Sequence, residues 1–200
     1  MSARQQRELE VNTISTHYAA GEPVHHGSCD CIGIILVKSG KLRTYMLSED
    51  GREITLFHLK EGDFCVLSAS CILSAVTFDV FIDAEEDTDL WQINTGWFQQ
   101  LTEENVYAEN FMYKVALDRF SDVMWVMEQV IFMSMDKRLA IFLMDHGPVI
   151  RMTHDEIARH LGTAREVISR MLKYFSSEGY VELSRGTVSI LDRERLSALL

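Results

Sequence analysis

Arg165, Glu166, Ser169, Arg170 and Lys173 recur at steps of one, three, one and three residues, which places all five on one flank of a helix turning every 3.6 residues. Their chemistry suits the reading of base edges in a DNA major groove. Arginine donates twice to guanine O6 and N7, glutamate accepts from the cytosine amino group, and serine serves several bases. Glu166 is the informative member, because a carboxylate near phosphates only repels and makes sense facing DNA chiefly as a base reader. The competing reading is a solvated helix face of mixed charge held by i,i+4 pairs.

The elements that would hold this row in place are written locally. Thr153-His154-Asp155-Glu156 forms a capping box, in which the Thr hydroxyl accepts from the Glu156 backbone N–H and the Glu carboxylate reaches back. A helix therefore starts at His154, buries Ile157, Ala158 and Leu161, and ends at Gly162, which supplies a positive φ. Thr163 is expected to cap a second helix from Ala164 to about Phe175, with Val167, Ile168, Met171, Leu172 and Phe175 inward. Two short helices across a Gly turn make a helix-turn-helix, and an exposed row at the start of its second helix is where base edges are met. Gly179 to Leu183 and Thr187 to Ile190 then flank Ser184-Arg185-Gly186 as a hairpin, a wing whose tip offers Arg185 to a phosphate.

Charge distribution permits this. The 200-residue chain carries a net charge of −11, which taken whole argues against a nucleic-acid partner. Residues 1–133, however, hold 9 basic against 21 acidic side chains, whereas residues 134–200 hold 10 against 9. The C-terminal third can approach a phosphate backbone that the rest repels. No stretch approaches the roughly 20 apolar residues of a membrane span, and Met1 to Gln5 contains no apolar signal core; a soluble, cytoplasmic protein is expected.

Upstream, short apolar runs alternate with turn signals at intervals of about 11 residues: 32–37, 42–47 and 54–59, punctuated by Ser39-Gly40, Glu49-Asp50-Gly51 and Glu61-Gly62-Asp63. This is the pattern of an all-β sandwich or roll. Asp83 to Asp89 reads as a solvated acidic turn, the alternative being a calcium loop, which the lack of a shaping Gly disfavours. From about Thr102 to Met133 there is no Gly or Pro, and Tyr113, Leu117, Phe120, Met124, Met127, Ile131 and Ser134 form a heptad seam. Ala116, Val123 and Val130 form a second stripe, so the helix is expected to cover its own β-domain on one side and a twin helix on the other. The alternative is a core helix of a monomer. Expected divisions are a β-domain at 1–101, a long helix at 102–134 and a DNA-binding domain at 135–200.

The run from Thr153 to Lys173, T-H-D-E-I-A-R-H-L-G-T-A-R-E-V-I-S-R-M-L-K, the E-G-Y-V that follows, and Lys38-Ser39-Gly40-Lys41-Leu42 with Glu61-Gly62-Asp63 resemble the Crp/Fnr family of bacterial transcription regulators over nearly the whole chain. The resemblance implies an α+β architecture: an N-terminal cupin-like double-stranded β-roll that senses an effector, a long dimerisation helix and a C-terminal winged helix-turn-helix. It places Glu166, Ser169 and Arg170 on base-reading positions of the Fnr branch, Arg165 on an additional reader of the Crp branch, and Thr153, Thr163 and Arg185 on phosphate contacts. It also implies a homodimer, a palindromic site with halves like TTGA or TGTGA, and RNA polymerase as a partner.

The effector is less legible. From Glu61 to Tyr113 there is no Lys, Arg or His, and a phosphate buried without a cation is strongly disfavoured; cyclic AMP is therefore not the expected ligand. Cys29, Cys31, Cys65 and Cys71 depart from the Fnr cysteine spacing and leave three chemistries open: buried or redox-reactive thiols, an iron–sulfur cluster, or haem or zinc ligation involving His25, His26 or His58. An apolar wall including Phe64 and Leu73, facing Phe120 and Met124 of the long helix, suits a small uncharged effector with Ser68 and Ser70 as polar handles. Two readings from other classes compete. A cupin-type metal or small-molecule protein, enzymatic or not, wants a His–carboxylate pair that does not appear at usable spacing, and a protein-binding module without DNA affinity is favoured only by the acidic total.

Overall fold

A computed structural model describes residues 1–27, 32–68 and 79–200. The elements run α1 (Ala3–Val11), β1 (Thr13–Tyr18), β2 (Pro23–His26), β3 (Ile34–Ser39), β4 (Lys41–Leu47), β5 (Glu53–Lys60), β6 (Phe64–Cys65), β7 (Phe81–Ala84), β8 (Thr88–Ile93), α2 (Thr95–Glu104), α3 (Val106–Phe132), α4 (Met135–Asp145), β9 (Val149–Ile150), α5 (His154–Leu161), α6 (Arg165–Ser177), β10 (Val181–Ser184), β11 (Thr187–Ile190) and α7 (Arg193–Ser197). They form two compact units, 1–47 with 56–124, and 48–55 with 125–200. Among the described residues no helix is long and apolar enough to cross a membrane.

The first unit contains two four-stranded sheets, ordered β1-β8-β3-β6 and β2-β7-β4-β5. Leu42 and Thr44 of β4 lie opposite Ala84 and Ile82 of β7, and all four are at most 2% exposed. The turn at Gly40 tolerates no side chain, because φ is +89° and a Cβ would stand 2.4 Å from Thr88 Oγ1. The acidic stretch differs from a solvated turn. Asp83-Ala84 ends β7 and Thr88-Asp89 begins β8, so the turn shrinks to 85–87. Glu85 turns inward to Lys41 (2.6 Å) and His58 (3.1 Å). Burial opposes its ionisation, but the bonds from His58 and Lys41 outweigh that cost and hold the carboxyl at about 2.

The expected helix from Thr102 is in fact two. Asn94 caps α2 through a bond to the Trp97 N–H at 3.0 Å, and Asn105 breaks the run by accepting from the Tyr107 N–H at 3.0 Å to start α3. Within the first unit α3 packs Met112, with Ala108, Val115 and Ala116, against Ile34, Val66, Ile93, Phe98 and Leu101. Its other face carries the heptad stripe bare: Tyr113, Leu117, Phe120, Met124, Met127 and Ile131 are 38–65% exposed. Of the second stripe, Ala116 and Val123 are half-buried, whereas Val130 is exposed.

The second unit closes on Leu139, Leu143, Ile150, Ile157, Ile168, Leu172, Phe175, Val188 and Leu196, each at most 2% exposed. Side chains so buried stabilise by about 1.5–3 kcal/mol each.

Candidate functional site

The capping box at the start of α5 forms as its residue types dictate. Thr153 Oγ1 accepts from the Glu156 N–H at 3.2 Å, and the Glu156 carboxylate accepts from the Thr153 N–H at 2.5 Å. Gly162 ends the helix at φ 64°. The Thr163 N–H folds back onto the Ala158 carbonyl at 3.0 Å, so Thr163 belongs to the closing turn of α5. The N-cap of α6 is consequently Ala164, without a side-chain cap bond, and the expected capping by Thr163 is corrected. Arg138 of α4 is buried and donates from its guanidinium to the Leu161 carbonyl at 2.5 Å. It satisfies an orphan carbonyl at the end of α5 and so fixes the angle between the two helices. Nothing in the local sequence distinguishes this arginine from an exposed one on an amphipathic helix.

Ile168, Leu172 and Phe175 anchor α6 from below, and Val167 and Met171 flank them half-buried. On the opposite flank Arg165, Glu166, Arg170 and Lys173 are exposed and Ser169 half-exposed. Among the described residues none of the four charged ones forms an ion pair. The i,i+4 pair of Glu166 with Arg170, which a merely solvated helix face would use, is not made. Burial, and then the charges of Arg165 and Lys173, hold the His154 imidazole below its ordinary value.

The wing is a hairpin with Ser184 opposite Thr187, leaving Arg185-Gly186 as a two-residue loop with Gly186 at φ 69°. Arg185 stands exposed at its tip. A strand that sequence reasoning missed ties the wing down: Val149 and Ile150 of β9 pair with Ser189 and Val188 of β11. At two residues it is too short for a periodic signal. The structure thus gathers Thr153, Thr163, Arg165, Glu166, Ser169, Arg170, Lys173 and Arg185 in one unit.

The expected effector residues that the structure describes are Phe64, Ser68, Phe120 and Met124. Phe64 packs edge-on against Phe111 at 4.9 Å. Ser68 is fully buried and donates to the Gly33 carbonyl at 2.8 Å. Phe120 and Met124 lie on the bare stripe of α3, because the heptad period that groups them also turns them away from the core. Ser70 and Leu73 lie outside the described residues, as do Cys29, Cys31 and Cys71. Cys65 is 0% exposed, and burial pushes its thiol up, away from the thiolate that metals and oxidants require. His25 is buried in β2, His26 packs edge-on against Phe81 at 5.9 Å, and His58 bonds Glu85.

Comparison with known proteins agrees with this layout. The profile of the Crp-like helix-turn-helix domain matches residues 137–199, and that of the cyclic nucleotide-binding domain matches residues 15–105. A crystal structure from Eubacterium rectale, assigned to the crp/fnr family of transcriptional regulators, superposes with a TM-score of 0.95 at 46% identity, covering 100% of this chain and 94% of that one. The c-di-GMP responsive global regulator CLP of Xanthomonas campestris shares the fold, with a TM-score of 0.77 at 21% identity over 96% and 100% of the two chains. The cyclic AMP receptor protein of Thermus thermophilus is 25% identical over 91% of this chain and 86% of its own. The transcriptional activator anr of Pseudomonas aeruginosa is 27% identical over 83% and 72%.

Proposed function

Because this chain belongs to the Crp/Fnr family of transcription regulators, we propose that it binds a palindromic DNA site as a homodimer, with α6 of each protomer in the major groove. One observation carries the reading: the unpaired, exposed row of Arg165, Glu166, Arg170 and Lys173 beside Ser169, on a helix whose opposite face is rigidly packed. Glu166, Ser169 and Arg170 read bases and Arg165 adds a further base contact. Thr153, whose Oγ1 accepts the cap bond and keeps its own proton to donate, binds phosphate with Thr163 and Arg185. The twin seams of α3 join the protomers, and RNA polymerase is the partner on the promoter.

Control comes through the β-roll unit. An effector other than cyclic AMP fits the sequence, since residues 61–113 contain no Lys, Arg or His to meet a phosphate. The buried, protonated Cys65 favours a structural thiol at that position over a cluster ligand. None of the reported comparisons supports the cupin-type alternative.

The test is selection from a random duplex pool with the full chain. The expected outcome is enrichment of an inverted repeat with halves like TTGA or TGTGA, their centres about one helical turn apart. A variant with Ala at 165, 166, 169 and 170 enriches nothing. Equal enrichment by both proteins, or none by the natural one, contradicts the reading.

A further inference from the structure

Against the β1-β8-β3-β6 sheet, the first unit holds a groove of about 670 Å³. That is the size of a small-molecule site. Leu36, Trp91 and Ile93 come from the sheet, and Leu9, Phe98 and Phe111 come from α1, α2 and α3. Four kinds of support from one compact unit therefore wall a single concavity. Trp91 and Phe111 remain 39% and 41% exposed, and exposed apolar surface of this kind marks interaction sites, ligand-binding grooves among them.

The polar groups around it define the ligand. Thr13 is committed to the Leu9 carbonyl at 2.6 Å. Asn105 is committed to Gln5 and to the start of α3. Ser15, Glu10, the Tyr107 hydroxyl, the Trp91 indole N–H and the Met1 terminus are left. Among the described residues the lining contains one carboxylate and no Lys, Arg or His side chain, and Lys38 lies 5.7 Å from the Trp91 centroid without lining the groove. An anionic headgroup would meet the Glu10 carboxylate with no Lys, Arg or His side chain of the described lining to offset it, whereas a flat uncharged ring system would exchange water for aromatic and aliphatic contacts along the groove walls.

We propose that this groove is a binding site for a flat, uncharged, largely apolar aromatic ligand. It lies within the first unit and shares no residue with the DNA-reading row. Its occupant is a small molecule, because the concavity is closed by elements of a single unit.

Two fluorescent probes sharing the anilinonaphthalene skeleton test it on the full chain. They are neutral N-phenyl-1-naphthylamine and anionic 8-anilino-1-naphthalenesulfonate. The neutral probe is expected to saturate one site per chain at least about tenfold more tightly than the sulfonate, a difference of about 1.4 kcal/mol. Ala108 lines the groove, and Ala108→Trp should weaken the neutral probe by at least about tenfold. Should that variant misfold, Glu10→Lys provides a second arm. Glu10 is exposed, and reversing its charge should bring the sulfonate to within about threefold of the neutral probe while leaving melting unchanged. The proposal is overturned if the sulfonate binds the natural chain as well as the neutral probe does. It is also overturned if Glu10→Lys changes neither, or if the neutral probe does not bind, as when a second copy covers the groove. Neither probe reports on DNA, so the site and the regulator reading fail independently.

Discussion

Arg170→Ala should abolish discrimination at one base pair of each half-site while leaving the protein folded and able to bind DNA weakly. The loss follows from a bidentate guanidinium contact, about 1–3 kcal/mol per half-site and about twice that for a symmetric dimer. The side chain is exposed and unpaired in the free protein, so removing it costs no internal bond and the deficit appears only against DNA. Arg185→Ala at the wing tip is the contrasting case. A phosphate contact carries no sequence information, so affinity should fall nearly equally on all duplexes and the salt slope by about one per protomer. Glu166→Ala should move in a third direction, relaxing selectivity while strengthening binding to unrelated DNA, since a carboxylate that reads a base also repels every backbone. Titrations of the three variants against matched and mismatched duplexes at two salt concentrations separate these outcomes. If Arg185→Ala changes base preference and Arg170→Ala does not, the roles are reversed.

Charging the bare stripe of α3 should have the largest effect. Leu117 and Met124 are exposed in the protomer, so Leu117→Glu with Met124→Glu leaves the fold of each chain intact and removes only the seam. Sedimentation should show the mass halved with helicity unchanged. DNA affinity should drop by about a thousandfold or more, because linked half-sites act at an effective concentration near millimolar and separated ones do not. An unchanged mass together with unchanged affinity would mean that the stripe is covered by something other than a twin.

The DNA-binding unit was far more legible in the sequence than the sensor unit, for physical reasons. A capping box, a left-handed glycine and a 3.6-residue apolar period act within a few residues of one another, so Thr153, Gly162 and the Ile168-Leu172-Phe175 face announce themselves. The one local error there, Thr163 as a cap, arose where two signals overlap: its N–H completes the turn after Gly162 and leaves Ala164 to open α6. Asn105 carried a cap signal that a continuous apolar stripe obscured. In the sensor unit the decisive contacts join distant residues. That Ser68 would be spent on Gly33, or Glu85 on Lys41 and His58, depends on strand pairing that no short window contains. The groove was missed because Leu9, Trp91 and Phe111 are far apart in sequence and meet only through the fold.

Guanine-N7 methylation interference on the selected duplex tests most directly whether α6 lies in the major groove with Arg170 against a guanine. For the natural protein, methylation in two segments about one helical turn apart on one face of the duplex should block binding, and Arg170→Ala should lose sensitivity at one guanine in each segment. Insensitivity of the natural protein to N7 methylation, or an identical pattern in the variant, would contradict that placement.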